Sequence, residues 1–499
     1  GIMHGGEEQT FAYGYLAGSS LLSSLAMPNG IVRELSYEQR RDLAVAISCR
    51  LGETVLVSRS QSYDALGRPT ARTQQRGTEA TRTDSFSYNG RNELTGATLG
   101  TAPYGYSYDN IGNRKTAQEI AEELTYTANN LNQYTRIEES GETPFVPTYD
   151  ASGNQTLIKT STGIWTVVYN AANRAVSFTS RDGNIVVECG YDYQGRRYMK
   201  KVTVNGTVAS HERYLYRGYL QIAALDMLNS KNVHRTLLWD PLEPVATRPL
   251  ALVQENALYC YGMDFNKDVT EVFAGEGAVA ATYDYSPYGT VTGTGNLVQP
   301  VQWSSEMNDH ELALVYYNYR YYNPADGRWI NRDPIAEEGG WNLYGFVGSN
   351  SILETDILGT AWSSLQTEAG AALAARQAAE AAAKAAARAA GTAIAAERSK
   401  KNKRCAELYR EKSEAKKEAR GSSCKKMIIP ECPTQDECNI FNDRYEKMKR
   451  FAEARKAYDD ECYQGGDAGH QKQREGWFEG AQNCKSKYDE CITKINQLV

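Results

Sequence analysis

Residues 108–114 read YDNIGNR, and variants of this stretch recur through about the first 200 residues. In each copy a tyrosine precedes an aspartate or an asparagine. In most copies a glycine or asparagine, often with an arginine, follows within six residues. The other copies begin at Tyr63, Tyr88, Tyr126, Tyr149, Tyr169 and Tyr191.

Successive copies are separated by 25, 20, 18, 23, 20 and 22 residues. A period near 20 residues is typical of a strand, a tight turn and a returning strand. Asp, Asn and Gly suit the turn because they tolerate a positive φ. Such a unit cannot bury its own hydrophobic face, so consecutive units should stack into an extended sheet. The pattern therefore predicts a mainly β region, and by itself leaves a propeller or solenoid open.

The repeat resembles the YD repeat of RHS proteins and of the C components of insecticidal toxin complexes. This resemblance implies that residues 1–258 form a β-strand shell, part of a hollow cocoon that encloses a toxin. The repeat pattern is already under way near Gly1, so we expect an N-terminally truncated fragment.

Residues 259–360 carry six further motifs in a fixed order. They are YDYSPYG at 283–289, YYNYRYYNP at 316–324, GRWI at 327–330, RDP at 332–334, NLYGFV at 342–347 and DILG at 356–359. This order is similar to the RHS-associated core, which closes one end of the cocoon.

Asp333 and Asp356 lie 23 residues apart, each at a turn-like position. Two carboxylates close in space cannot both ionise easily, so one holds a proton and the other can activate a water. From their spacing alone, these residues are better explained by two turn caps and an ordinary ion pair of Arg320. The resemblance implies a self-cleaving aspartyl protease formed by Arg320, Asp333 and Asp356, with cleavage near Thr360–Ala361.

The closing motif departs from the family pattern. Where the family has Asp-Pro-x-Gly, this chain has DILG at 356–359, and Thr360 replaces an apolar residue. The second aspartate is kept, so we expect the chemistry to survive while the cleaved bond is less firmly predicted.

Composition changes after Gly359. Alanine dominates Glu368–Arg398, which predicts a long helix with a break near Gly391, serving as a linker over residues 361–400. Contact of this helix with a membrane is a minor alternative. Beyond it, the segments 402–417 and 439–458 are charged and helical in pattern, so residues 401–499 are predicted to form a small all-α domain.

Seven of the ten cysteines lie in the last 139 residues. No Cys-x-x-Cys pair occurs there and a single histidine accompanies them, so we expect disulfides and neither a metal nor a cofactor. Cys484 and Cys491 are seven residues apart, which places them on one helix face where each can pair with a neighbouring helix. The odd count predicts at least one free or intermolecular thiol.

Residues 462–470 read CYQGGDAGH, a glycine-rich loop after which His470 opens the next helix. Histidine is the usual acid or base at neutral pH, and Asp467 can orient it or cap the helix. The run resembles that of small cysteine-rich toxin domains at RHS C-termini, which are predicted RNases. This resemblance implies that His470 acts on the 2′-hydroxyl or the leaving oxygen. A capped helix with a surface histidine is the alternative.

Charge divides along the same boundary. Residues 361–499 hold 26 Lys and Arg against 21 Asp and Glu, a net charge of +5, and the preceding residues carry −11. A mildly basic tail fits a nucleic-acid target, and a solvated helical surface explains it about as well.

Three functional hypotheses follow. The first is a toxin of RNase type, released by a self-cleaving shell, secreted or held at the cell surface and delivered to a target cell. It implies a cognate immunity protein, RNA as substrate, and secretion or toxin-complex delivery components. The second is a non-catalytic adhesive surface protein. The third is a tail with other hydrolase activity, although no Gly-x-Ser-x-Gly elbow occurs in it. Neither a membrane span nor a signal peptide is predicted.

Overall fold

The computed structural model describes residues 1–241, 247–360, 362–364, 400–431, 433–463 and 468–498. The chain divides into two compact units, Gly1–Ala390 and Gly391–Val499. Within the described ranges, no helix has the length and apolar character needed to cross a bilayer. The alanine-rich helix predicted over Glu368–Arg398 lies outside the described residues, and the finer domain boundaries stay predictions.

The first unit is built from antiparallel strands joined in sequence order. After a short pair, one sheet of twelve strands is followed by a second of fourteen. The pair and the first large sheet comprise β1 (Ile2–His4), β2 (Glu7–Gln9), β3 (Ala12–Tyr15), β4 (Leu22–Ala26), β5 (Ile31–Tyr37), β6 (Ala44–Leu51), β7 (Thr54–Tyr63), β8 (Pro69–Arg76), β9 (Arg82–Tyr88), β10 (Leu94–Leu99), β11 (Ala102–Tyr108), β12 (Arg114–Glu119), β13 (Glu122–Ala128) and β14 (Tyr134–Glu139).

The second large sheet holds the later repeats and the beginning of the core segment. Its strands are β15 (Thr148–Tyr149), β16 (Gln155–Thr160), β17 (Gly163–Tyr169), β18 (Ala175–Ser180), β19 (Ile185–Tyr191), β20 (Arg197–Val204), β21 (Thr207–Arg217), β22 (Leu220–Asp226), β23 (Asn232–Trp239), β24 (Pro249–Gln254), β25 (Ala257–Met263), β26 (Val269–Phe273), β27 (Val279–Tyr285) and β28 (Val291–Gly295).

The turn chemistry shared by the copies of the repeat explains where strands end. In the copy that begins at Tyr108, Asp109 Oδ1 accepts hydrogen bonds from the backbone N–H of Ile111 and Asn113, both at 2.9 Å. Gly112 adopts a φ of 85°, a conformation that only glycine and a few polar residues accept readily. The aspartate side chain therefore accepts hydrogen bonds from backbone N–H groups that no longer pair with a neighbouring strand. The chain turns at this point and enters the next strand.

Three copies form this turn with asparagine in place of glycine. Asn92, Asn132 and Asn173 take the left-handed position, with φ between 57° and 66°. In the copy that begins at Tyr88, Gly90 is the glycine expected from the sequence pattern, but the turn places Asn92 at the strained position instead. Asparagine serves there because its short side chain tolerates this conformation.

The repeat tyrosines connect neighbouring copies through their hydroxyls. Tyr108 donates to the carbonyl of Leu94 at 2.7 Å, Tyr169 to that of Gln155 at 2.9 Å, and Tyr191 to that of Ala175 at 2.8 Å. The ring thus buries apolar area while its hydroxyl satisfies a carbonyl at a strand bulge. This dual role explains the choice of tyrosine over phenylalanine at these positions.

The rest of the core segment forms small sheets packed on the large ones. The strands are β29 (Met307–Asp309), β30 (Leu314–Tyr316), β31 (Tyr321–Asn323), β32 (Arg328–Trp329), β33 (Glu354–Asp356) and β34 (Trp362–Ser364). Tyr317, Tyr322, Trp329 and Phe346 stack edge-to-face or face-to-face with centroids 3.9–6.3 Å apart. This aromatic cluster packs beneath the candidate site, where the Arg320 guanidinium lies 4.1 Å from the centroid of the Trp329 ring.

The second unit is helical, as predicted. Its helices are α1 (residues 400–418), α2 (Gln435–Tyr463) and α3 (Ala468–Leu498). A capping box starts α2: the Thr434 hydroxyl accepts from the N–H of Glu437, whose carboxylate accepts from the N–H of Thr434. The two long helices pack against each other around Phe441, Met448 and Ala481.

Three disulfides hold these helices together: Cys405–Cys462, Cys424–Cys484 and Cys438–Cys491. Cys491 pairs with α2, as expected, whereas Cys484 pairs with Cys424 in the segment between α1 and α2. Cys432 lies outside the described residues. Because the core and all three bonds form within residues 400–499, this region has what a domain of its size needs to fold alone.

Candidate functional site

The core segment brings Arg320, Asp333 and Asp356 together. Arg320 immediately precedes β31, Asp333 follows β32, and Asp356 ends β33. All three are at most 8% exposed, which is rare for ionisable groups unless they are paired. Arg320 Nη2 lies 2.8 Å from Asp333 Oδ2 and 3.5 Å from Asp356 Oδ2, so one nitrogen faces both carboxylates.

Asp356 also holds the segment that follows it. Its Oδ1 accepts hydrogen bonds from the backbone N–H of Leu358, Gly359 and Thr360 at 2.7–3.1 Å. Arg320 Nε donates to the carbonyl of Gly359 at 2.6 Å. The closing motif is therefore fixed at both its N–H and its carbonyl groups by members of the triad.

Gly359 is required by this arrangement. Its φ is 75°, and a Cβ built on it would lie 3.0 Å from the carbonyl oxygen of Tyr317 and 3.2 Å from the backbone nitrogen of Arg320. A larger residue would have to move the loop that carries the guanidinium.

Gly339 is a residue that sequence reasoning missed. A Cβ at this position would overlap Asp333 Oδ2 and lie 3.1 Å from the carbonyl oxygen of Thr360. The absence of a side chain at Gly339 thus lets the Asp333 carboxylate and the Thr360 carbonyl both lie close to its backbone. The sequence offers only one weak signal for it, the Gly-Gly pair at 339–340.

Burial shifts the protonation of both carboxyls. Desolvation raises the pKa of Asp333 to about 6; the Arg320 guanidinium opposes this rise and the charge of Asp356 adds to it. Desolvation also raises the pKa of Asp356, against the pull of Arg320 and its three N–H donors. The pair can therefore hold a proton near neutral pH, as general acid–base work by two carboxyls requires.

A third buried carboxyl belongs to the same electrostatic neighbourhood. Desolvation raises the pKa of Glu306 to about 8, and the charge of Asp356 raises it further. Glu306 accepts a hydrogen bond from the Thr247 hydroxyl, which in turn accepts one from Lys267 Nζ at 3.0 Å. Neither a periodic pattern nor a motif in the sequence marks this glutamate.

The helical domain contains a second cluster, around His470. Its Nδ1 lies 3.4 Å from Asp459 Oδ1, and Arg474 Nη1 lies 3.4 Å from Asp459 Oδ2. Arg455 approaches the same carboxylate at 3.6 Å. The Asp459 side chain is 2% exposed and that of His470 38%, so a buried carboxylate orients an accessible imidazole.

The structure places Asp459 beside His470, an acidic partner that the sequence analysis did not name. Asp467 lies outside the described residues, and its predicted role stays a prediction. Asp459 stands eleven residues before His470, at the end of α2, and the helix hairpin brings it to the start of α3. Among the described residues, no cluster of His, Cys, Asp and Glu is arranged to hold a metal ion.

Comparison with known proteins places this chain. The teneurin YD-shell family model matches residues 25–352, and the model called Novel toxin 16 matches residues 403–487. The chain belongs to the teneurin YD-shell family. In this YD-shell chain, the toxin-16 match coincides with the disulfide-bonded helical domain.

Curated relatives match parts of the chain. The tRNA3(Ser)-specific nuclease WapA of Bacillus spizizenii is 26% identical over 280 residues, which cover 54% of this chain and 11% of that protein. Toxin subunit YenC2 of Yersinia entomophaga is 29% identical over 177 residues, 33% of this chain and 16% of that protein. The chain thus spans a small fraction of the length of these relatives.

A solved structure shows the same fold. The crystal structure of TcdB2-TccC3-TEV matches with a TM-score of 0.57 and 20% identity, over 70% of this chain and 19% of that one. The mainly β expectation for the first region and the helical expectation for the tail are both confirmed.

Proposed function

We propose that this chain is a self-processing toxin whose core segment cleaves the Thr360–Ala361 bond and releases a C-terminal ribonuclease. The observation that carries the first half is the convergence of Arg320 and two buried carboxyls on the backbone of Gly359 and Thr360. Turn caps alone do not need a shared buried guanidinium.

In the proposed cleavage, a water attacks the carbonyl carbon of Thr360. One carboxylate of the pair accepts the proton of the water, and the protonated partner gives its proton to the departing nitrogen of Ala361. The products are a carboxyl group on Thr360 and an amine on Ala361. Arg320 orients both carboxylates and holds the Gly359 carbonyl, so the segment cannot drift from the acids.

The test compares Asp333→Asn with Asp326→Asn on a denaturing gel. Asp326 is a matched control, because it lies in the same core, is buried, and burial likewise raises its pKa to about 6 without any contact to Arg320. We expect two bands from the parent and from Asp326→Asn, one band from Asp333→Asn, and a fragment mass that ends at Thr360. A parent that stays intact contradicts the proposal and supports the non-catalytic shell.

Gly339→Ala gives an independent check. The added methyl would stand between Asp333 and the Thr360 carbonyl while removing no polar group. Cleavage should slow by at least about tenfold, since a misplacement near 1 Å can cost roughly a hundredfold. Unchanged cleavage would mean that Asp333 does not act at this carbonyl.

The second half of the proposal rests on the His470–Asp459 pair among basic side chains. His470 would remove the proton of a ribose 2′-hydroxyl or protonate the leaving oxygen, while Arg474 and Arg455 would balance phosphate charge. The region matched by the toxin model and the nuclease names of the WapA relatives support this assignment. Delivery into a target cell and a protective immunity protein are part of the same proposal.

The nuclease test uses the region 400–499 on purified RNA. We expect the parent to fragment the RNA, His470→Ala to lose this activity, and Asp459→Asn to retain a small part of it. DNA of the same sequence should stay intact because it lacks the 2′-hydroxyl. Fragmentation that survives His470→Ala would remove His470 from the mechanism, and absence of activity on any RNA would favour another hydrolase.

A further inference from the structure

Three tyrosines form a row that leads to His470. The ring centroids of Tyr409 and Tyr458 are 5.7 Å apart, those of Tyr458 and Tyr463 are 5.5 Å apart, and those of Tyr463 and His470 are 6.1 Å apart. We call Tyr409, Tyr458 and Tyr463 the tyrosine row. It runs from α1 across the end of α2 to the beginning of α3.

The row is unusually open for a packed aromatic cluster. Tyr409 is 56% exposed and Tyr463 is 55% exposed, and neither belongs to the hydrophobic clusters of the domain. Elsewhere in the same domain, Phe441 and Phe451 are at most 2% exposed. Core packing therefore does not explain the row.

Positive charge accompanies the rings. Lys412 Nζ lies 3.7 Å from the ring centroid of Tyr458 and 4.8 Å from that of Tyr409. Burial lowers the pKa of Lys412; the charge of Arg455 lowers it further, and the charge of Asp459 raises it. A phosphate group beside the rings would be attracted to the ammonium group of Lys412.

A disulfide holds the row in place. Cys405 lies one helical turn before Tyr409, and Cys462 is adjacent to Tyr463 in sequence. The bond between them ties α1 to the end of α2, where the other rings stand. The bond therefore keeps the backbone segments that carry Tyr409 and Tyr463 close to each other.

We infer that the tyrosine row and Lys412 bind unpaired RNA, with bases stacked on the rings and a backbone phosphate beside the lysine, leading the strand to His470. This rests on the proposed ribonuclease function and narrows its substrate to single-stranded segments or loops. Exposed aromatic rings with interleaved cations bind single strands because an unpaired base offers its face. The paired bases of a duplex are stacked on each other and cannot use the rings.

The test measures binding by the region 400–499 carrying His470→Ala, which prevents turnover. The probes are a fluorescent RNA of about 12 unpaired nucleotides and the same RNA annealed to its complement. Tyr458→Leu removes the ring and Tyr458→Phe keeps it. Tyr445→Leu is the matched control, because Tyr445 also lies on α2 beside lysines, with Lys485 Nζ at 6.0 Å, but about 20 Å from Tyr458 along the helix.

We expect the single strand to bind at least about tenfold more tightly than the duplex. Tyr458→Leu should lose roughly tenfold of that affinity, while Tyr458→Phe and Tyr445→Leu should match the parent. The inference is overturned if the duplex binds as well as the single strand, or if the Leu and Phe variants of Tyr458 behave alike. Circular dichroism of each variant shows whether the helices are intact, and if Tyr458→Leu unfolds the domain, the comparison of single strand with duplex still decides the inference.

Failure of this inference is distinguishable from failure of the nuclease proposal. If the His470-containing domain binds unpaired RNA through the row but never cleaves it, the nuclease proposal fails and the binding inference stands. If the domain cleaves RNA with a KM that Tyr458→Leu leaves unchanged, the nuclease proposal stands and the row is not its binding surface.

Discussion

The two regions of this molecule stabilise themselves by opposite means. The YD shell buries many charged groups as ion pairs and keeps its cysteines Cys49, Cys189 and Cys260 as buried free thiols. The helical domain leaves most of its charges in solvent and closes three disulfides. The shell buries a large core, whereas the domain has two small clusters, and small cores commonly need cross-links. Ion pairs should therefore contribute more to the stability of the shell, and cysteines more to the stability of the helical domain.

The largest effect should come from breaking a buried charge network in the shell. Asp309 is 2% exposed and contacts Arg197 and, at 2.9 Å, Lys200. Asp309→Asn leaves the buried guanidinium of Arg197 without its carboxylate and leaves Lys200 with Glu311 alone, which should lower the free energy of unfolding of the shell by about 3–5 kcal/mol.

Urea unfolding followed by circular dichroism measures this change. The counterpart in the domain is Asp443→Asn, which breaks a 2.7 Å pair with Lys447 whose side chains are 41% and 58% exposed. We expect no measurable change there, because solvent screens such pairs. Equal losses in the two regions would contradict the comparison.

Disulfide removal should destabilise the helical domain and leave the stability of the shell unchanged. Replacing Cys438 and Cys491 by serine opens a cross-link that spans 53 residues, and should cost the domain about 2–4 kcal/mol. Thermal unfolding with and without a reducing agent provides the measurement. The helical transition should fall with reduction while the β transition stays in place, and a shell that also loses stability would contradict the picture of free thiols.

Buried charge in the shell should also set the pH dependence of self-cleavage. The pKa of Asp333 is raised to about 6, so the pair loses its proton as the pH rises through that value. Cleavage after refolding should then slow by about tenfold per pH unit above it. Arg320→Gln removes the cation that lowers this pKa, so the remaining activity should decline at a higher pH. A profile that is flat between about pH 5 and 8 would exclude a titrating acid from the rate-limiting step.

The smallest effect tests the repeat itself. Tyr169→Phe keeps the ring and removes the hydrogen bond to the Gln155 carbonyl, which should cost the shell about 1 kcal/mol. Tyr193→Phe serves as the control, because Tyr193 is 91% exposed. Chemical denaturation of both variants distinguishes them, and equal stabilities would show that the repeat tyrosine acts only through its ring.

The sequence predicts the architecture well because its signals are local. The Tyr-Asp turns, the strand period and the helical cysteine spacing each involve residues within one repeat or one helix face. The identity of residues in the candidate triad followed from a family resemblance, and their convergence on Gly359 and Thr360 depends on folding.

Other features could not be predicted because the partners are distant in sequence. Asp309 meets Arg197 across 112 residues, and no periodicity links them. Gly339 matters through the space it leaves rather than through a contact it makes. Asp459 lies beside His470 because α2 and α3 fold back on each other, and the sequence alone does not show this approach.

The order of the three disulfides along the chain has a mechanical consequence. The first cysteine of each bond (Cys405, Cys424, Cys438) precedes the second cysteine of every bond (Cys462, Cys484, Cys491), so the three closed loops overlap along the chain. A force that pulls on either end of the domain reaches a disulfide-bonded cysteine before it can separate a whole helix from the others. While it is oxidised, the segment from Cys405 to Cys491 must therefore travel as a bundle several chains thick, and only reduction lets it pass a narrow opening as a single strand.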